Sequence, residues 1–98
     1  MEGYLKKIRN LLQRNRRNYY KVIGANMYIR TEGSKGKEEW QNKYDLSEYV
    51  LSLSKKNKKE FYMNPNEHGK KLDLQVLRFI ADTPEQRIFW YKNLSNVM

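Results

Sequence analysis

Short apolar runs separated by polar, turn-forming clusters divide this chain, and only its last segment carries a helical period. Gly3 to Ile8 and Asn18 to Ile23 read as the first two strands, joined by a basic polar loop around Gln13 to Arg17. Gly24-Ala25-Asn26 is a tight-turn signal, so Asn18–Ile23 and Met27–Thr31 are expected to form a hairpin. Thr31 to Asn42, with two Gly and several charges, reads as a mobile loop with Trp40 near its end. Lys43 to Leu46 and Tyr49 to Ser54 are the fourth and fifth strands, the latter alternating Tyr49, Leu51 and Leu53 against Val50 and Ser52. Phe61 to Met63 is the sixth, an Asn64 to Gly69 loop follows, and Leu72 to Ile80 is the seventh.

The helix is predicted over residues 83–97. Thr83 suits an N-cap, its hydroxyl accepting from the Gln86 N–H while the Gln86 side chain reaches back. Pro84 falls at the first helical position, where its missing donor costs nothing. Asp82 and Glu85 place negative charge at the positive end of the helix dipole. Trp90, Leu94 and Val97 recur as one inward stripe, which makes Trp90 a core anchor. Ile88 lies nearly opposite that stripe and Phe89 at its flank, so both are candidates for contact with a partner.

The 98 residues suffice for one domain with a modest core, 1–98, which reads as a domain excised from a longer protein. Twenty Lys and Arg against 11 Asp and Glu give a formal charge of +9, which favours an anionic partner such as acidic lipid headgroups or nucleic acid. No apolar run approaches a membrane span and no signal-peptide pattern opens the chain, so a soluble, cytoplasmic domain is expected.

The chain lacks Cys and has one histidine, His68, in a Pro-Asn-Glu-His-Gly loop. No thiolate metal site or Cys-His pair is available, and no cofactor, metal or catalytic residue is assigned. A Gly-rich phosphate loop and a carboxylate cluster at metal spacing are also missing, so an enzyme is not expected. Single-strand nucleic-acid binding is the stronger rival, because basic loops and aromatics on a small β-fold suit it. The strand order ending in a capped helix with an inward Trp argues against it, and Tyr19, Tyr20, Tyr28, Tyr44, Tyr49 and Tyr62 are read as packing residues, so no nucleic acid is expected.

Three stretches stand out: Gly3-Tyr4-Leu5-Lys6-Lys7, Arg16-Arg17-Asn18-Tyr19-Tyr20-Lys21-Val22, and the Asp82-Thr83-Pro84 cap leading to Trp90. In this order they resemble the pleckstrin-homology (PH) family. The resemblance implies a mainly β fold: a seven-stranded, antiparallel, bent sandwich or partly open barrel, capped by the C-terminal α-helix. It implies a non-catalytic module that binds phosphoinositides or other anionic lipids and recruits its parent protein to the membrane surface as a cytoplasmic, peripheral protein. The alternative is a protein-interaction module on the same scaffold, with little or no lipid binding.

In members that bind phosphoinositides, the headgroup sits at the open end between the first-second and third-fourth strand loops. Lys7 and Arg16 match two phosphate-binding positions of that site, and Asn18, Arg14, Lys35 and Lys37 complete the set that the resemblance assigns to it. The family's strong binders place Arg where this chain has Asn18, and Tyr where it has Ile29, so weak and poorly selective binding is expected there. Lys55, Lys56, Lys58 and Lys59 lie where some members hold a headgroup in an outer, atypical groove. Lys70 and Lys71 are expected near the usual mouth.

Overall fold

The computed structural model describes residues 1–8, 15–32 and 38–98. Seven strands form one antiparallel sheet: β1 Glu2–Lys7, β2 Arg16–Ile23, β3 Asn26–Glu32, β4 Glu38–Asp45, β5 Tyr49–Leu53, β6 Glu60–Pro65 and β7 Leu77–Ile80. Their spatial order is β4-β3-β2-β1-β7-β6-β5, so β4 and β5 are free edges and the sheet is open, not a closed barrel. A short helix α1, Glu67–Lys71, joins β6 to β7, and α2, Pro84–Ser95, ends the fold. No helix among the described residues is long and apolar enough to cross a membrane.

Alternation sorts the side chains into two faces. Leu5 from β1, Tyr20 and Val22 from β2, Met27 from β3, Phe61 and Met63 from β6, and Phe79 from β7 are buried on the inner face. Phe79 is its aromatic centre, stacked on Phe61 at 5.6 Å and meeting Tyr20 edge-on at 5.7 Å. Ile23 pairs with Asn26 across a two-residue turn, which Gly24 permits by adopting φ +58°.

The helix follows its sequence signals. Thr83 Oγ1 accepts from the Gln86 N–H at 3.1 Å, and Pro84 opens α2. Trp90 and Leu94 are buried, with Val97 packed against the core. Ile88 and Phe89 remain 56% and 48% exposed. A Cβ on Gly3 would stand 3.3 Å from the Trp90 indole, so glycine in the first strand allows the ring to lie against the backbone.

Four expectations are corrected. Residues 38–42 are strand, not loop: β4 begins at Glu38, and Trp40 pairs with Arg30 instead of sitting on a loop. Its polar sequence hid it, because an edge strand need bury little. The sixth strand extends over Glu60–Pro65, and Glu67–Lys71 of the expected loop is α1, capped by Asn66 accepting from the Gly69 N–H. The seventh strand starts at Leu77, because the left-handed Asp73, φ 56°, turns the chain beyond α1 and leaves Leu72 and Val76 exposed. Among the tyrosines, Tyr20, Tyr44 and Tyr49 are core, whereas Tyr19, Tyr28 and Tyr62 are only half-buried.

Candidate functional site

The end of the β1–β2 ladder concentrates charge on both faces. Lys7 is directly opposite Arg16 and Lys6 directly opposite Arg17. Lys7 shares the inner face with Leu5, and Arg16 shares it with Asn18 and Tyr20; Lys6 and Arg17 face outward. Adjacent like charges repel and are retained only where something anionic meets them or solvent screens them. The sheet therefore presents one pair of cations on each side of the same two strands.

On the inner side, the Lys7 ammonium is 5.9 Å from the Tyr44 ring centroid, a cation–π distance that draws it over the core edge. Arg16 is exposed and Asn18 half-buried, opposite Leu5. The expected common face of Lys7, Arg16 and Asn18 is what the register gives. Arg14, Lys35 and Lys37 lie outside the described residues.

On the outer side, Arg17 makes a bidentate pair with Asp82, Nη2 to Oδ2 at 2.7 Å and Nε to Oδ1 at 3.1 Å. The Asp82 carboxyl is held below the usual aspartate range, first by the Arg17 hydrogen bond, which outweighs the opposing effect of burial, and further by the charges of Arg17, Lys59 and Lys6. Arg17 thus holds the carboxylate directly, and the charges of Lys6 and Lys59 act on it from farther off. Sequence reasoning missed Lys6 and Arg17. The signal was available, because period-2 alternation puts them on the face opposite Lys7 and Arg16.

A carboxyl depressed in the folded state contributes stability above its unfolded pKa and loses it as pH falls through the folded value. Arg17→Gln should therefore move the Asp82 midpoint up towards the ordinary range. Carboxyl-carbon NMR titration reads this directly; an unchanged midpoint would show that Arg17 is not the cause.

Lys55, Lys56, Lys58 and Lys59 are exposed on the β5–β6 connection, which is a shaped turn and not a loose charged run. Ser54 Oγ accepts from the Lys56 and Asn57 N–H groups, and Asn57 Oδ1 accepts from the Lys59 N–H. Arg87 of α2 clamps it: Nη1 donates to the carbonyls of Ser54, Asn57 and Glu60 at 3.2–3.3 Å. The Ala81 N–H donates to the Lys59 carbonyl, tying the turn to the chain that carries Asp82. The fold thus brings Lys59 to Lys6 and Arg17, while Lys7 and Arg16 belong to the other face. His68 is exposed on α1, and Lys70 of the same helix pairs with Glu67 at 3.7 Å.

No protein-family model matches the chain, and no curated protein matches it. Solved structures do. The Slm1 PH domain in complex with inositol 4-phosphate superposes with a TM-score of 0.77 at 19% identity, covering 100% of this chain and 94% of that one. A second Slm1 PH structure, with ligand bound in an atypical site, gives 0.76 at 19% identity, covering 99% and 94%. A DH/PH fragment of PDZRHOGEF in complex with human RhoA gives 0.74 at 13% identity, covering 99% of this chain but 27% of that one. The chain has the PH fold.

Proposed function

We propose that this domain is a non-catalytic module that binds phosphoinositide or other anionic headgroups and recruits the protein carrying it to a membrane surface. The observation that carries this reading is the two-sided cation ladder, Lys7 with Arg16 inside and Lys6 with Arg17 outside. Phosphate is met well by a lysine point charge beside a guanidinium fork. The Slm1 complexes support it, since a protein of this fold takes an inositol phosphate. Arg14, Lys35 and Lys37 belong to the same proposed mouth, and Lys55, Lys56, Lys58 and Lys59 to the outer groove. Each cation near an anionic leaflet contributes about 1 kcal/mol, so the groove lysines can recruit without a closed pocket.

Asn18 brings no charge to the inner face and Ile29 no hydrogen bond, so headgroup selectivity is low. Vesicle sedimentation tests the reading: binding to vesicles containing phosphatidylinositol phosphates should exceed binding to neutral vesicles and fall as salt rises. Removing the charges of Lys7 and Arg16 should weaken soluble headgroup binding, and removing those of Lys56, Lys58 and Lys59 should weaken vesicle binding. Asn18→Arg should tighten headgroup binding about ten- to a hundredfold, by one charge-assisted contact of about 1.5–3 kcal/mol. Equal partition to neutral and anionic vesicles at low salt would defeat the proposal.

A second reading, a protein-interaction module, is favoured by Ile88 and Phe89, adjacent on α2 and both exposed. The RhoA complex of a DH/PH fragment is in keeping with it. Ile88→Ser with Phe89→Ser should leave vesicle binding unchanged, which separates the two surfaces.

A further inference from the structure

The solvent face of β1–β4 carries a row that the headgroup reading does not use. Tyr4 is opposite Tyr19, and Arg30 is opposite Trp40, so β1, β2, β3 and β4 contribute one residue each. Tyr4 and Tyr19 meet edge-on at 4.8 Å. Each ring has a cation over it: Arg17 is 3.8 Å from the Tyr4 centroid, Arg30 4.4 Å from that of Tyr19, and Lys21 4.0 Å from that of Trp40. Rings engaged in this way leave less of their faces open to stacked bases, the usual basis for single-strand nucleic-acid binding.

They do orient the guanidinium groups. Arg17 and Arg30 flank Tyr4 and line a groove of about 390 Å³, the size of a small-ligand site. Arg30 Nη2 donates to the Tyr4 hydroxyl at 3.2 Å, leaving the Tyr4 O–H itself as a donor. The two arginines differ in how firmly their charges are engaged. Arg17 is held by both oxygens of Asp82, whereas Arg30 meets one oxygen of Glu38 at 3.6 Å. An incoming dianion therefore displaces Glu38 with less loss than Asp82.

We propose that this groove is a separate anion site that takes a phosphomonoester, with Arg30 as the principal donor, Tyr4 and Arg17 flanking it, and Glu38 as an internal competitor. It lies on the face opposite Lys7 and Arg16, shares Arg17 with the outward pair, and stands whether or not the inner mouth binds. A phosphomonoester is favoured because a guanidinium fork matches its oxygens and the hydroxyl supplies a third donor. The same group is presented by a free inositol phosphate and by a lipid headgroup, and the site chemistry is common to both.

The test follows the Arg30 Nε–Hε NMR signal of the full chain during titration with soluble inositol 4-phosphate, and separately with phosphatidylcholine vesicles containing phosphatidylinositol 4-phosphate. A shift with the soluble probe supports a site sufficient for the free phosphomonoester. A shift with vesicles alone supports one filled from the bilayer, and no shift with either overturns the proposal. Arg30→Gln, followed by the Arg17 Nε–Hε signal, should weaken binding at this site about tenfold, as loss of a charged hydrogen bond does, while Lys7→Gln with Arg16→Gln leaves the Arg30 response intact. Glu38→Gln should tighten binding about threefold by removing the competitor. Glu39→Gln makes the same change in net charge on the same strand and should give no gain; equal gains from both would show general electrostatics and overturn the site. The Glu38 and Glu39 comparison decides the matter even if Arg30→Gln perturbs the fold.

Discussion

Trp90→Ala should lower the unfolding free energy by about 3–5 kcal/mol, the cost of deleting a large buried aromatic whose cavity cannot fully collapse. Trp90 is 1% exposed and rests against Gly3, so one side of the cavity is strand backbone, which is tied to β2 and β7 and cannot move in to fill it. A domain of this size has a total stability of about 5–15 kcal/mol, so the loss takes a large share of it. Ile88→Ala, on the same helix but 56% exposed, should cost less than about 1 kcal/mol. Urea denaturation of both variants checks the difference. Comparable losses would mean that α2 packs through a different face.

Arg78→Met should cost about 2–3 kcal/mol, because it leaves a buried carboxylate without its donors. Glu60 is 4% exposed, and Arg78 Nη2 donates to both its oxygens, at 3.0 and 3.2 Å. The Arg78 side chain is 49% exposed, so water moderates the loss and holds it below that of a fully buried pair. Glu60→Leu combined with Arg78→Met should recover much of the stability, since replacing both partners by apolar groups removes the unpaired charge. Thermal unfolding of the single and double variants tests this, and additive losses would argue that Glu60 has other essential partners.

How much of this was legible beforehand depended on where the physics is local. The α2 cap could be read from Thr83, Pro84 and Gln86 because capping uses groups within one turn of the chain. The inward stripe of Trp90 and Leu94 follows from helical period, and the β2–β3 hairpin from Gly24 beside Ala25. The common face of Lys7 and Arg16 was legible for the same reason, since alternation is a property of each strand alone. Strand β4 was not. Its polar residues are stabilised by Arg30 and Trp40 pairing and by Lys21 lying over Trp40, contacts made across strands. Leu72, Leu74 and Val76 imitated a strand through alternation, yet a turn at Leu72 and the left-handed Asp73, followed by irregular chain, takes up that stretch.

Periodicity, local hydrogen bonding and composition are properties of neighbouring residues, and they account for the number of strands, the capped terminal helix with its inward Trp90, and the excess of positive charge. Which charges act together depends on contacts between residues far apart in the chain. Arg17 meets Asp82 across 65 residues, Arg87 holds the lysine turn from 27 to 33 residues away, and Arg30 reaches Tyr4 across 26. Long-range pairing of this kind depends on strand register and on the packing of α2, and neither leaves a local pattern in the chain.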